Sequence, residues 1–378
     1  MRPIRMVDLQ QQYQKISSEI KEALSAIMEN STFIGGKPVD DFTNSFAKFH
    51  NAKHAIPCAN GTDALQIAMM GLGLQPGDEV IAPSFTYVAT TEVIALLHLQ
   101  PVFVDVDPKT FCIYPEAIRK AITPKTKAIV PVHLYGHAAP MDEILEIARE
   151  NNLFVIEDNA QATGCTYFSK DGIAHRTGTM GIVGCTSFFP SKNLGCYGDG
   201  GAMVTNDDSL ADRLKMIANH GQKKRYYHEL IGCNSRLDAM QAAILSIKLP
   251  LLDGYIESRR QAADYYDKGF SGNPKITTPY RAPYCKHVFH QYTLVLEDVD
   301  RNGLADYLAK QQIPSMIYYP VPAHRQQMFA AFGGSKFNLP VTDWLTERVI
   351  SLPMHTELDH EQQDFIINHV LKYVNGNK

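Results

Sequence analysis

Lys192 stands in Ser187-Phe188-Phe189-Pro190-Ser191-Lys192-Asn193-Leu194-Gly195, a short glycine-bounded connection running into Gly198-Asp199-Gly200-Gly201. Lysine is the side chain that condenses with carbonyl compounds, pyridoxal phosphate (PLP) included, when its amine is held unprotonated. A solvated turn lysine is the bland alternative, so other residues must discriminate. Asp158, in Ile156-Glu157-Asp158-Asn159-Ala160-Gln161, closes an apolar run. A carboxylate there can pair with a protonated pyridine nitrogen and keep the ring an effective electron sink. A hydrogen bond to a charged group contributes about 1.5–3 kcal/mol. The competing role is a helix N-cap. Glu157 alternates to the other face and is assigned no role.

Gly61-Thr62-Asp63-Ala64 follows Ala55 to Asn60 and opens a helix pattern. A glycine turn feeding a helix start exposes free N–H groups at the positive dipole end, which suits a phosphate; Thr62 and Asp63 can also cap that helix. A plain capped helix is the competing reading. No GxGxxG accompanies it, which argues against a nicotinamide dinucleotide fold. Tyr87, in Pro83-Ser84-Phe85-Thr86-Tyr87, is a candidate to stack on a cofactor ring, in competition with Phe85. Asn234, Arg236 and Asp238 open another helix pattern. They read either as a capped helix with a surface arginine or as a polar patch meeting a phosphate from a neighbouring subunit.

The elements that must position these groups follow from periodicity. Val80 to Ala82, Pro101 to Asp105, Ala128 to Val132 and Phe154 to Asp158 are continuous apolar runs of strand length, suited to burial on both faces of a sheet. Helix patterns lie between them, Pro115 to Ala121 and Met141 to Asn151 among them. The alternation predicts an α/β fold with a mostly parallel sheet, whose catalytic groups gather at the carboxyl ends of the strands. Gln10 to Glu29 reads as an amphipathic helix outside the sheet and Leu251 to Lys268 as a long charged helix. The remainder mixes strands such as Tyr292 to Leu296 with helices near 302–311 and 360–373. The expected division is a large domain over 1–250 and a smaller α+β domain over 251–378.

Composition narrows the class. The chain has 378 residues, 45% hydrophobic and 20% charged, with formal net charge −4 and both signs interspersed. Neither a nucleic-acid nor an anionic-membrane footprint is present, and no apolar run reaches the roughly 18 residues of a membrane span. Seven cysteines without paired spacing read as small buried hydrophobes in a reducing compartment, so the cytoplasm is the expected location.

The order Gly-Thr-Asp-Ala-Leu (61–65), Pro-Ser-Phe-Thr-Tyr-Val-Ala-Thr (83–90), Pro-Val-His-Leu-Tyr-Gly (131–136), Glu-Asp-Asn-Ala-Gln-Ala (157–162), Ser-Phe-Phe-Pro-Ser-Lys-Asn-Leu-Gly (187–195) and Asn-Ser-Arg-Leu-Asp (234–238) resembles the DegT/DnrJ/EryC1/StrS family. These are PLP-dependent sugar aminotransferases of fold type I, with a seven-stranded, mostly parallel sheet. The likeness covers nearly the whole chain and is strongest between 60 and 245. It implies that Lys192 forms the Schiff base, Asp158 holds the pyridine nitrogen, Gln161 sits by the ring's phenolic oxygen and Tyr87 stacks on the ring. It assigns the phosphate to Gly61, Thr62, Asp63 and Ser187, with Asn234 reaching it from the partner subunit of a homodimer. Lysine at 192 excludes the family's dehydratase branch, which carries histidine there.

Within the family the chain looks most like the branch that aminates UDP-linked 3-keto sugars, with L-glutamate as the amino donor, in surface-polysaccharide sugar synthesis. Tyr318, Tyr319 and His324, in Tyr318-Tyr319-Pro320-Val321-Pro322-Ala323-His324, match its sugar-contacting loop. Arg225, with Lys223 and Lys224, is the candidate for the nucleotide diphosphate, against a merely solvated basic run. The 3-aminating relatives usually carry histidine where this chain has Tyr318, so a plain 3-keto sugar without a carboxylate and amination at C4 stay open; the nucleotide, UDP or dTDP, is open as well. A fold-type-I lyase or desulfurase and a non-catalytic sensor are the rivals; the sensor would be expected to lose Lys192 or Asp158.

Overall fold

The computed structural model describes residues 1–376. Helix α1 (Leu9–Glu29) begins at Asp8, whose side chain accepts the Gln11 N–H, and buries Ile16, Ile20 and Ile27. It lies outside the sheet against α8, introduced below. Helix α2 (Lys37–His50) leads to strand β1 (His54–Cys58), then α3 (Gly61–Gly71), β2 (Glu79–Pro83), α4 (Ala89–Leu96) and β3 (Gln100–Val104). Next come α5 (Pro115–Ala121), β4 (Thr126–Ile129), α6 (Met141–Asn151) and β5 (Phe154–Asp158). A hairpin of β6 (Thr166–Phe168) and β7 (Ala174–Arg176) precedes β8 (Val183–Ser187) and β9 (Gly201–Thr205). Helix α7 (Asp208–Ala218), a small hairpin of β10 (Gln222–Lys224) and β11 (Tyr227–His228), helix α8 (Ala239–Lys248) and the long α9 (Leu252–Phe270) follow.

Seven strands form the main sheet in the order β1-β9-β8-β5-β4-β2-β3. The run from β8 to β3 is parallel, and β9 is antiparallel to both β8 and β1. Strands β1, β2, β5 and β8 therefore point the same way, and their carboxyl ends share one edge. That edge carries Gly61, Ser84 to Tyr87, Asp158 and Ser187. The continuous apolar runs are buried on both faces, as in Val80-Ile81-Ala82 and Val155-Ile156.

The run predicted as a strand from Ala128 to Val132 stops at Ile129. Pro131 has no N–H to continue the ladder, although the Val130 N–H still reaches Ile81 O at 2.8 Å and Val132 bridges to Asp158. Helix α6 ends at Asn152, whose φ of +53° is the left-handed stop that asparagine tolerates.

The C-terminal part holds β12 (Ile276–Thr277), β13 (Cys285–Lys286), β14 (Tyr292–Leu296), α10 (Arg301–Lys310), α11 (Pro340–Arg348), β15 (Val349–Leu352) and α12 (His360–Val374). Strands β12, β14 and β15 form a three-stranded sheet whose apolar face packs on α9, α10 and α12. Strand β13 instead joins β6, so this part is stitched to the main body by a ladder as well as by packing. Arg259 of α9 tightens the seam. It is buried, and its Nη1 donates to the carbonyls of Phe289, His290 and Met354 at 3.0–3.3 Å. Burial lowers its pKa to about 10.

Replacing Arg259 with leucine strands three buried carbonyls without their donor. Equilibrium urea unfolding is expected to show a loss of about 3–5 kcal/mol, with Arg259→Lys falling between it and the parent.

Candidate active site

The carboxyl-end edge of the sheet opens into a cavity of about 610 Å³. Its walls include Asn60 to Asp63, Tyr87, Asp158, Gln161, Ser187, Lys192, His290, Gln291, Tyr318 and Tyr319. Every residue that the family likeness assigns to the cofactor within one chain, together with Tyr318 and Tyr319, thus meets in one hollow.

Asp158 is the last residue of β5 and 6% exposed. Each oxygen has a donor: Thr90 Oγ1 lies 2.7 Å from Oδ2 and the Ala160 N–H 3.1 Å from Oδ1. Thr90 sits in turn 3.0 Å from the Thr86 hydroxyl. These contacts fix the carboxylate's orientation while its rim faces the cavity.

Lys192 follows β8 in a turn where its N–H donates to Phe189 O at 2.8 Å. The turn needs glycine at 195, because a Cβ there would stand 2.3 Å from Pro190 O. Buried Lys248 of α8 braces the same turn, its Nζ 2.5 Å from Gly195 O. Burial lowers the Lys192 ammonium to about 8, and the Asp158 carboxylate only partly opposes that. A lysine so poorly solvated is a ready nucleophile.

The phosphate-like cradle is built by the backbone. Asn60 is extended (φ −166°, ψ 175°), and its side chain accepts the Asp63 N–H at 2.8 Å, so Asn60 caps α3 rather than Thr62 or Asp63. The bond from Ala64 N–H to Asn60 O comes next, which leaves the Gly61 and Thr62 N–H groups ahead of the helical ladder. A Cβ on Gly61 would lie 2.7 Å from Ser187 Cβ. Glycine therefore lets the helix start and the Ser187 hydroxyl approach as a single anion cradle.

The family model for the DegT/DnrJ/EryC1/StrS aminotransferases matches residues 14–371. The chain belongs to that family. It is 44% identical over 98% of its length, and 98% of the other's, to a protein of Geobacillus stearothermophilus named as a pleiotropic regulatory protein. It is also 44% identical, over 94% of its length and 96% of the relative's, to the UDP-2-acetamido-2-deoxy-3-oxo-D-glucuronate aminotransferase of Pseudomonas aeruginosa. Among solved structures, S. venezuelae DesV in complex with a ketimine intermediate superposes with a TM-score of 0.94 at 38% identity, covering 99% of both chains.

The residues present fit the cofactor of such aminotransferases. A poorly solvated amine, a fixed carboxylate and an unfilled cradle of N–H and hydroxyl donors line one hollow, each suited to a different end of PLP. Gln161 is locked from both sides: its Oε1 accepts the Tyr135 N–H at 2.7 Å and its Nε2 donates to the Tyr319 hydroxyl at 2.9 Å. That second bond brings Tyr319 into the same wall. Tyr87 is 57% exposed, its ring 6.2 Å from that of Tyr319, so its face is open to the cavity. Phe85, its competitor for stacking, is fully buried among Phe111, Tyr135 and Tyr319.

Three of the expected site residues lie outside the hollow. His324 is 1% exposed; the Ser84 hydroxyl donates to its Nδ1 at 2.7 Å and accepts its backbone N–H at 3.1 Å, and its Nε2 lies 3.4 Å from Asp343. It supports the Tyr318–Tyr319 loop from behind and does not present a side chain to a ligand. Arg225 is exposed in the turn between β10 and β11, its guanidinium over the Tyr226 ring at 5.0 Å. Asn234 is exposed beside Asn219, and nothing in its own chain brings it to the cavity.

Glu157 does have a structural task. It is fully buried, and its two oxygens accept from His133 Nε2 and the N–H groups of Gly178, Met180 and Gly181 at 2.6–2.8 Å. His133 Nδ1 accepts the Ala139 N–H, which fixes the tautomer that donates to Glu157. Burial pushes the carboxyl up, but these donors outweigh it and hold its pKa below the ordinary value. The end of β5 that bears Asp158 is anchored in this way.

Because the folded pKa of Lys192 lies below that of a free lysine, more of the amine is neutral at a given pH. At pH 7.5 about a quarter is neutral, against about one part in a thousand for an ordinary lysine. Acetylation of Lys192 in the cofactor-free chain, followed by mass spectrometry, should rise through a midpoint near 8, with exposed lysines titrating about two and a half pH units higher.

Proposed function

We propose that this chain is a PLP-dependent aminotransferase that moves the amino group of L-glutamate onto the ketone of a nucleotide-linked sugar, in the making of surface-polysaccharide sugars. The observation that carries the reading is the juxtaposition of Lys192 and Asp158 across one cavity whose far wall is the Gly61–Ser187 cradle. When bound, PLP supplies an electron sink that stabilises negative charge at the carbon losing its proton.

The chain's own groups divide the rest of the work. Gly61, Thr62 and Ser187 hold the phosphate with N–H and hydroxyl donors, and Asp63 adjoins them at the helix start. Asp158 holds the proton on the pyridine nitrogen, kept in place by Thr90 and Ala160. Gln161 and Tyr319 form one edge of the site, and Tyr87 covers a ring face. Lys192 would hold the cofactor and would move the proton at the reacting carbon, for which an amine with a pKa near 8 is well matched to neutral pH.

The substrate end of the cavity is bounded by Tyr318 and Tyr319, whose phenols burial keeps neutral. A UDP- or dTDP-linked 3-keto-hexose is the class we favour. Exposed Asn234 and Arg225 then act on the cofactor phosphate and the nucleotide of the other subunit in a homodimer. In this reading residues 1–250 form the cofactor domain and 251–378 the smaller domain, and the enzyme works in the cytoplasm, consistent with seven free thiols. Retention of both Lys192 and Asp158 supports an enzyme over a regulator built on the same fold.

Incubation with L-glutamate and a panel of UDP- and dTDP-ketosugars, read by mass, tests the reading; no amino sugar from any member would overturn it. Lys192→Ala should lose the visible absorbance of bound PLP and all turnover. For Asp158→Asn, loss of a charge-assisted hydrogen bond predicts a fall in kcat of about 10- to 150-fold, measured at saturating glutamate.

A further inference from the structure

Tyr135 carries none of the proposed chemistry, yet three of its groups are bonded to residues that line the cavity. It is buried in the turn Leu134–Gly136 beyond β4, at a φ of +58°. That left-handed backbone is an outlier for a bulky residue and persists only where neighbours enforce it. Here the enforcement is specific. The Tyr135 N–H donates to Gln161 Oε1 at 2.7 Å, its carbonyl accepts the Gln291 N–H at 3.2 Å, and its hydroxyl donates to the Tyr318 carbonyl. Phe85 and Phe111 pack edge-on against the ring, with centroids 6.4 and 5.4 Å away, so the hydroxyl's direction is set. The His133 N–H, donating to Asp158 O at 3.0 Å, fastens the same turn to the end of β5. One buried residue thus joins the wall that bears Asp158 and Gln161 to the loop that bears Tyr318 and Tyr319.

The same bonds fix a direction. A backbone N–H takes Gln161 Oε1, so the other end of the amide, Nε2, faces the Tyr319 hydroxyl at 2.9 Å and donates to it. Turning the amide over would set its NH₂ group against the Tyr135 N–H, donor against donor. The Tyr319 oxygen is therefore an acceptor in this pair, and the phenol's own hydrogen is left for a ligand. Tyr319 lines the hollow, where such a ligand would lie.

We propose that Tyr135 is a positioning residue: through Gln161 and the Tyr318 carbonyl it holds Tyr319 so that the phenol donates its hydrogen to an oxygen of the keto-sugar. Gln161 orients the phenol, and the Tyr135 hydroxyl holds the neighbouring Tyr318 peptide against the wall that Gln161 belongs to. Without that hydroxyl the Tyr318–Tyr319 loop loses one of its two ties to this wall, while the Tyr135 N–H still orients Gln161. The sugar as ligand rests on the function proposed above; the hold of Tyr135 on Tyr319 does not.

Tyr135→Phe removes the hydroxyl and keeps the ring and both backbone bonds. The first measurement needs no substrate: nitration of the cofactor-free full-length chain by tetranitromethane, which attacks phenolates it can reach, read residue by residue by mass spectrometry. In the parent, Tyr319, whose phenol burial keeps neutral, should react at least about tenfold more slowly than exposed Tyr226 and Tyr227. In Tyr135→Phe the Tyr319 rate should rise about threefold or more, with buried Tyr266 unchanged. A parent Tyr319 as reactive as Tyr226, a smaller rise, or an equal rise at Tyr266 overturns the proposal. The second measurement uses whichever ketosugar the parent aminates. Tyr135→Phe and Tyr319→Phe should each lower kcat/KM about three- to tenfold, and the double variant should fall less than about twofold below Tyr319→Phe, because the effect passes through Tyr319. Effects that multiply, or a Tyr319→Phe variant as active as the parent, overturn it. The parent's nitration rates and Tyr319→Phe stay decisive even if Tyr135→Phe does not fold. A parent that aminates no sugar sinks the proposed function instead, and nitration still decides whether Tyr135 holds Tyr319.

Discussion

An amine and a carboxylate must share one poorly hydrated hollow without cancelling each other, and most of the structure around the site answers that constraint. Left to themselves, Lys192 and Asp158 would form an ion pair, and neither would be free for a ligand. Asp158 is instead given two fixed donors, Thr90 and the Ala160 N–H, which satisfy its oxygens in one orientation. Lys192 is drawn toward its neutral form by burial, so its attraction to the carboxylate is weakened at the source. Each group is held by its own supports and neither depends on the other.

Those supports lie deeper than the site. Asp158 is the cavity-facing end of a strand whose preceding residue, Glu157, is tied on the opposite face by His133 and three backbone N–H groups. Alternation along β5 thus places a buried anchor and a working carboxylate back to back. The lysine turn is braced likewise by Lys248 through Gly195 O and by Asn193 through Val288 O. Removing a buried partner from such an arrangement leaves a charge or carbonyl unpaired, which is where large destabilisations arise.

Much of this was legible before any coordinates. Asp158 stands at the end of an apolar run and Gly61 at the start of a helix pattern, both readable from periodicity, whereas Ser187 was marked only by the family likeness. Lys192 stood out because a glycine-bounded turn gives a lysine no packing reason to be there. What escaped the sequence depends on partners far away in the chain or on backbone angles. His324 reads as a loop histidine, yet the hydroxyl that captures it belongs to Ser84, 240 residues away. Asn60 caps α3 because its backbone is extended there, and composition favours Thr62 or Asp63 equally. Alternation puts Glu157 on the face opposite Asp158, but it cannot say what fills that face.

The antiparallel strand β9 ties the parts of the cavity together in a further way. The cradle follows β1 and the lysine turn connects β8 to β9, so both hang from three neighbouring strands at one border of the sheet. At Gly201 the fit is so close that a Cβ would stand 2.4 Å from the Asn60 carbonyl carbon. This border is one cooperative unit in the sense of amide exchange: opening it would loosen both grips on a bound molecule at once. Occupancy of the hollow and slow exchange of β1, β8 and β9 are then two measures of a single free energy.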